Sequence, residues 1–198
     1  QSFIKPKGAT QKCADLMYKA CAITDIDSVS GCVDFYKSCK ESGIKPILGC
    51  EFSNKYIVLA KNLNGWKKLM LAVSDKNTEV CYGSDHICIS GYYGSELASL
   101  ILAPEAYSAE SFEHAKSFLI DNWKETACDY IRNHRKLFGD SFFVSIEKMD
   151  DNFHAANVLA ECFVELDKEI VAQGIETIII PSNDCRYVDR EDSYCHRI

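Results

Sequence analysis

The chain has 198 residues, of which 47% are apolar and 26% charged, with a formal net charge of -7. That length suits one domain, and the acid excess argues against a dominant phosphate-binding surface, which needs clustered Lys and Arg. No signal peptide is visible and no apolar run approaches the roughly 20 residues that cross a bilayer, so a membrane partner is not expected.

Taken in chain order, residues 10–22 place Cys13, Leu16, Met17 and Ala20 on one face at helical spacing, which predicts a helix. The short apolar run "CAIT" (21–24) predicts a buried strand, and it stops abruptly at Asp25. Residues 28–43 put Val29, Cys32, Val33, Tyr36 and Cys39 on one stripe and close on Gly43, a helix with a C-terminal glycine. Strands follow at "KPILGCEF" (45–52) and "KYIVLAKN" (55–62), then a helix from Gly65 to Ser74.

"HICISG" (86–91) predicts a further strand, and helical patterns run over 95–102 and over 109–138. "SFFVSIEK" (141–148) is a strand, 152–173 a strong helix through Leu159, Cys162, Phe163, Leu166 and Ile170, and "ETIIIPSN" (176–183) a strand. A last helix is expected from Arg190. Strands that alternate with helices imply a mostly parallel sheet, open or closed into a barrel, so the fold class is α/β.

The 11 cysteines are odd in number and contain no C-x-x-C pair, a poor fit to a closed disulfide set or a structural zinc site. Several occupy apolar-face positions, where Cys acts as a small hydrophobe. Reduced thiols of a cytoplasmic protein are the reading.

In parallel α/β folds the functional groups gather after the carboxyl ends of strands. Asp25, Glu51 and Asp184 each follow such a strand. Convergent carboxylates raise one another's pKa unless a cation lies among them, and Mg²⁺ or Mn²⁺ would supply that charge and favour phosphate chemistry. Residue types alone leave a structural alternative open, in which Asp25 or Asp27 caps the helix near Ser28, Glu51 is solvated and Asp184 starts a turn.

The run "AITDIDSVSGCVDFYKSCKESGIKPILGCEF" (22–52), with "IVLAKNLNGWKKLMLAVS" (57–74), "CISG" (88–91), "FGDSFFVSIE" (138–147) and "IIIPSNDCRYVDREDSYCH" (178–196), resembles the polymerase-and-histidinol-phosphatase (PHP) domain. That domain stands at the N-terminus of bacterial replicative DNA polymerases, the alpha subunit of DNA polymerase III. The resemblance implies a distorted (β/α)7 barrel of TIM-like type, here as a single PHP-like domain over residues 1–198. A chain that starts at Gln1 and stops at Ile198 inside an incipient helix is expected to be an N-terminal fragment of a longer polymerase, the barrel incomplete at its C-terminus. In active members a metal cluster held by His, Asp, Glu and Cys performs phosphoester hydrolysis, often 3′–5′ exonuclease proofreading.

Residue by residue, the resemblance carries over three ligand positions, Asp25, Glu51 and Asp184. The family's other ligands are replaced: the opening His reaches Gln1, the His of T-D-H is Ile26, the His before the V-L-A-K-N strand falls at about Lys55, the Cys of L-S-G-C at Tyr92, and the His of N-D-V-H at Arg186. An aliphatic chain binds no metal, and arginine stays protonated at any working pH. Ile26 is expected to pack, and Lys55 and Arg186 either to offset the three acids as an ion-pair cluster or to point to water.

The resemblance therefore implies a degenerate domain of a replicative polymerase without catalysis of its own and without a bound cofactor. Its role would be structural, with docking of replisome proteins such as a proofreading exonuclease, and DNA met through the parent polymerase. Two other readings stand beside it. One is an active phosphoesterase or 3′–5′ exonuclease using Mg²⁺, Mn²⁺ or Zn²⁺ on the three acids with His86 or Gln1. The other is a free-standing phage interaction protein on the same fold. His86 opens its strand and so lies at the wrong end for the first of these. No G-x-x-x-x-G-K-[ST] or G-x-G-x-x-G is present, "NHRK" (133–136) reads as a solvated basic patch, and Tyr92 and Tyr93 read as loop-packing tyrosines.

Overall fold

A computed structural model describes residues 4–53, 55–75, 82–147, 152–174, 176, 178–182 and 188. Its elements in chain order are α1 (Pro6–Asp15), β1 (Ala20–Ile23), α2 (Cys32–Glu41), β2 (Lys45–Phe52), β3 (Tyr56–Ala60), α3 (Leu63–Ser74), β4 (His86–Ser90), α4 (Glu96–Ser99), α5 (Phe112–Lys116), α6 (Trp123–Phe138), β5 (Phe142–Glu147), α7 (His154–Ala172) and β6 (Ile179–Ser182). The strands lie in the order β1-β2-β3-β4-β5-β6. Strand neighbours in chain order define a singly wound α/β sheet, the type from which α/β barrels are built. The α/β class is thus the one that the alternating pattern predicts.

The chain forms two compact units, one of residues 1–51 and 58–81 with the C-terminal segment, the other of residues 52–57 and 82–183. In the first, β1 pairs with β2 in parallel, with Ala20 opposite Lys45 and Ile23 opposite Leu48. Phe35, Cys39 and Ile44 are buried there, with Cys13, Cys21, Ile23 and Leu48 packed against them. Only three residues separate β2 from β3, too few for the crossover that a parallel pair requires. In the second unit β5 pairs in parallel with β4 on one side and β6 on the other. Phe142 and Val144 of β5 meet Leu159, Phe163, Leu166 and Ile170 of α7 and Ile131 of α6 in a large apolar core. Each such side chain stabilises the fold by about 1.5–3 kcal/mol relative to exposure.

Three boundaries differ from the sequence expectation. The first helix runs from Pro6, which suits the first turn because its missing N–H would have no partner there, and it ends at Asp15 rather than near Ala22. Met17 has φ +59°, which no helix continues through, and Leu16, Met17 and Tyr18 form an exposed turn. The second helix starts at Cys32 and not Ser28, because the Ser28 hydroxyl accepts from the Ser30 N–H in a local turn that competes with helix. Its buried face is Cys32, Phe35, Ser38 and Cys39, while Val33 and Tyr36 are exposed.

The long pattern over 109–138 is two helices. Asn122 takes a left-handed conformation, φ +59°, and the chain before it folds back so that Ile120 N–H donates to Ile101 O at 3.0 Å and Ala103 N–H to Phe118 O at 3.1 Å. The last helix, expected from Arg190, lies outside the described residues. Among those residues eight cysteines are free thiols.

Gly91, directly after β4, has φ +92°, and a Cβ there would stand 2.5 Å from Val144 Cγ1 and 3.0 Å from Ser145 O. Backbone strain of this kind costs on the order of 1–3 kcal/mol before any clash is counted. Gly91→Ala is expected to lower the melting temperature by several degrees, more than Gly94→Ala, whose Cβ would meet open space. Paired thermal unfolding curves check this.

Candidate functional site

The backbone ladder between β1 and β2 continues past the end of β1. Ile26 bridges Glu51 in parallel, Glu51 N–H donates to Asp25 O at 3.2 Å, and Asp27 N–H donates to Glu51 O at 2.8 Å. This pairing sets two of the three predicted acids side by side at the carboxyl end of the parallel pair. Asp27 sits at φ +48°, turning the chain away from the strand toward α2.

Asp25 has a further neighbour. A Cβ built on Gly31 would lie 2.9 Å from Asp25 Oδ2, so the carboxylate rests against the residue that caps α2, and only glycine leaves it room. Gly31 provides no side-chain cap. A negative charge at a helix N-terminus is favoured by the unpaired N–H groups and the helix dipole. Neither Asp25 nor Asp27 is the N-cap residue itself, which corrects the capping alternative in detail while keeping its electrostatic sense.

Two thiols complete this corner. Cys50 directs its Sγ at Asp25 O, 3.4 Å away, and at Glu51 O, 3.5 Å away. Burial, then the charges of Asp25 and Cys50, pushes the Cys32 thiol up to about 11. Burial first, with Asp27 and Glu51 adding to it, pushes Cys50 up to about 11 against the lowering effect of the Ser28 and Asp27 backbone. Both therefore keep their protons at neutral pH and are poor metal ligands, since the thiolate is the ligating form. The sequence reading treated Cys32 as an apolar-face residue and did not single out Cys50. The available signal was its position next to Glu51, because neighbours in a strand face opposite sides.

Ile26 is 57% exposed, so it does not pack as the sequence reading expected. The bridge to Glu51 fixes its backbone while its side chain projects into solvent. Lys55 is also exposed; its carbonyl accepts from Glu96 N–H at 3.2 Å. Tyr92 is buried in the turn after Gly91. That turn is braced by Ser95, whose N–H donates to Tyr92 O at 2.9 Å and whose hydroxyl accepts from Gly91 N–H and Ala98 N–H, each at 3.2 Å. Tyr93 stands edge-on to Tyr107, ring centroids 4.9 Å apart. Of the positions that the resemblance offers as ligands, Asp25, Ile26 and Glu51 belong to the first unit and Lys55 and Tyr92 to the second. Gln1, Asp184 and Arg186 lie outside the described residues.

His86 opens β4, fully buried, with its ring edge-on to Tyr82 at 5.4 Å. "NHRK" is held by structure: His134 stacks on Tyr130 at 3.9 Å and Arg135 pairs with Asp140 at 2.6 Å. Among the described residues no group of three or more His, Cys, Asp or Glu side chains is placed to hold a metal ion. In the first unit the candidates among the described residues are two carboxylates and an alkyl chain. The alkyl chain offers no lone pair to a metal where the resemblance implies an imidazole.

A mostly parallel sheet with helices between its strands defines an α/β protein. The PHP domain model matches residues 1–148, and the chain belongs to the PHP domain family. It is 28% identical to DNA polymerase III subunit alpha of Borreliella burgdorferi over 87% of this chain and 16% of that protein. The same-named protein of Treponema pallidum is 28% identical over 91% of this chain and 16% of its own length. That of Buchnera aphidicola is 27% identical over 98% of this chain and 17% of its own length. The chain thus spans about a sixth of the curated relatives it matches.

The two thiols give a pH signature. Their folded values lie above the unfolded thiol value of 9.0, so the stability they contribute is complete below pH 9 and is lost as pH rises toward about 11. The melting temperature is expected to fall over that window, and to fall less steeply in a Cys32→Ala, Cys50→Ala variant. Thermal unfolding from pH 8 to about 11 measures both slopes.

Proposed function

We propose that the chain is a PHP domain without metal-dependent turnover. It serves as a structural module of a replicative DNA polymerase and as a docking surface for replisome proteins such as a proofreading exonuclease. It meets DNA through the parent polymerase and works in the cytoplasm without a bound metal. The observation that carries this reading is Ile26. The backbone at that point is still held in register against Glu51, yet the side chain next to Asp25 is a hydrocarbon with no lone pair.

Lys55 and Tyr92 support it further. An ammonium brings repulsion to a cation site, and a buried phenol is not a thiolate. The relatives, whose printed name is DNA polymerase III subunit alpha, support the polymerase context. No helix among the described residues is long and apolar enough to cross a membrane.

The test is elemental analysis together with a nuclease assay. Protein loaded with excess Mn²⁺ or Zn²⁺ and then desalted is expected to retain well under one equivalent of metal. Single-stranded DNA with Mn²⁺ is expected to stay intact at the rate of the protein-free control. Stoichiometric metal, or cleavage that disappears in Asp25→Asn, overturns the proposal and returns the active phosphoesterase reading.

A further inference from the structure

Two helix ends in the first unit are built on the same backbone motif. At the end of α2, Ile44 N–H donates to Cys39 O at 2.9 Å and Gly43 N–H to Lys40 O at 3.3 Å. At the end of α1, Tyr18 N–H donates to Cys13 O at 2.8 Å and Met17 N–H to Ala14 O at 2.9 Å. This paired bonding closes a helix through one left-handed residue, most often glycine. Gly43 fills that place in α2, φ +69°, and Met17 fills it in α1, φ +59°. The other described residues at positive φ are Asp27, Asn122 and glycines, types that tolerate the conformation better than methionine. The side chains of the two turns differ. After α2 come Ser42, Gly43 and Ile44, and Ile44 is buried with Cys39 in the core. After α1 come Leu16, Met17 and Tyr18, which are 49%, 81% and 59% exposed. Three large apolar groups thus stand in water on a strained turn, and strain of this kind collects at binding sites.

The two turns are neighbours because they lead into paired strands. Lys45 N–H donates to Lys19 O at 3.0 Å, and Ala20 stands opposite Lys45 in the ladder. Lys19 and Lys45, both exposed, are therefore adjacent in the backbone, directly after Tyr18 and Ile44. Lys12 and Lys40 lie in the last turns of the two helices, where they also answer the negative helix ends; Lys19 and Lys45, at strand starts, have no such duty. The acids at this end are Asp15, which accepts from Gln11 Nε2 at 2.9 Å, and Glu41. Lysines outnumber carboxylates here, in a chain whose net charge is -7. Asp25, Asp27 and Glu51 gather at the other end of the same strand pair.

We infer that this turn is the docking point for a protein partner whose contact segment sets carboxylates beside apolar side chains. The inference rests on the docking role proposed above and gives it a place. Leu16, Met17 and Tyr18 form the apolar centre, and the lysines form a rim that draws in an acidic segment and sets its register. Methionine suits this contact, since its unbranched thioether adapts to the surface it meets. Leu16 and Met17 carry no ring on which a base could stack, which favours a protein over single-stranded nucleic acid.

The probe is a synthetic amphipathic peptide with leucines at i, i+3, i+4 and i+7 and glutamates between them, labelled and titrated with the whole chain by fluorescence anisotropy. Saturable binding is expected, weakening as salt rises and absent when lysine replaces glutamate in the peptide. Lys19→Glu combined with Lys45→Glu is expected to weaken binding by about tenfold or more. Met17→Gly removes the most exposed side chain and relieves the backbone, so its melting temperature is expected to hold or rise while binding falls by about tenfold or more. No saturable binding, equal binding by Met17→Gly, or binding lost only together with the fold overturns the inference. So does binding of single-stranded DNA or phosphatidylserine vesicles in preference to the peptide. None of these outcomes alters metal retention, so the absence of turnover proposed above is judged separately.

Discussion

The backbone bonds that extend the β1–β2 ladder past the end of β1, Glu51 N–H to Asp25 O and Asp27 N–H to Glu51 O, are the constraint on which this corner of the molecule depends. They set two carboxylates at one end of a parallel pair whatever the side chains around them do. A carboxylate at such an end gains from a positive charge beside it. A metal ion is one source of it, and the N-terminus of a helix is another. Here Asp25 has α2, and buried protonated thiols at Cys32 and Cys50 add no further negative charge.

That arrangement separates what the backbone fixes from what the side chains are free to vary. The positions that carry the ladder, the Gly31 contact and the Gly91 turn are fixed by backbone geometry. Position 26 is fixed in its main chain, and its side chain is largely exposed. Substitution there leaves the core of the first unit intact, since Phe35, Cys39 and Ile44 lie elsewhere.

Much of this was legible in the sequence. Alternation of apolar runs with helical patterns gave the α/β class and the six strands that the described residues hold, and strand ends located Asp25 and Glu51. Helix limits were less legible, for physical reasons that differ from case to case. Leu16 and Met17 keep helical spacing with Cys13, but spacing cannot register a left-handed Met17, and the same blindness merged α5 with α6 across Asn122. The predicted stripe of α2 was rotated because Val33 and Tyr36 are apolar yet exposed, while Phe35 and Ser38 are buried. Ile26 was misread for the converse reason: an apolar side chain next to a strand suggests burial, and a bridge past the strand end places it in solvent. The contact between Asp25 and Gly31 joins residues from different elements, and no local pattern encodes it.

The closeness of Asp25 to Gly31 bears on how relatives of this domain are sorted. A carboxylate there has an occupation that needs no cation, namely to answer the positive end of α2 in a niche that admits no larger neighbour. Its survival across a collection of sequences is then no vote for hydrolysis. The residue that follows it, Ile26, is held by its main chain against Glu51 and leaves its side chain largely in solvent, so the scaffold itself sets little demand on what stands there.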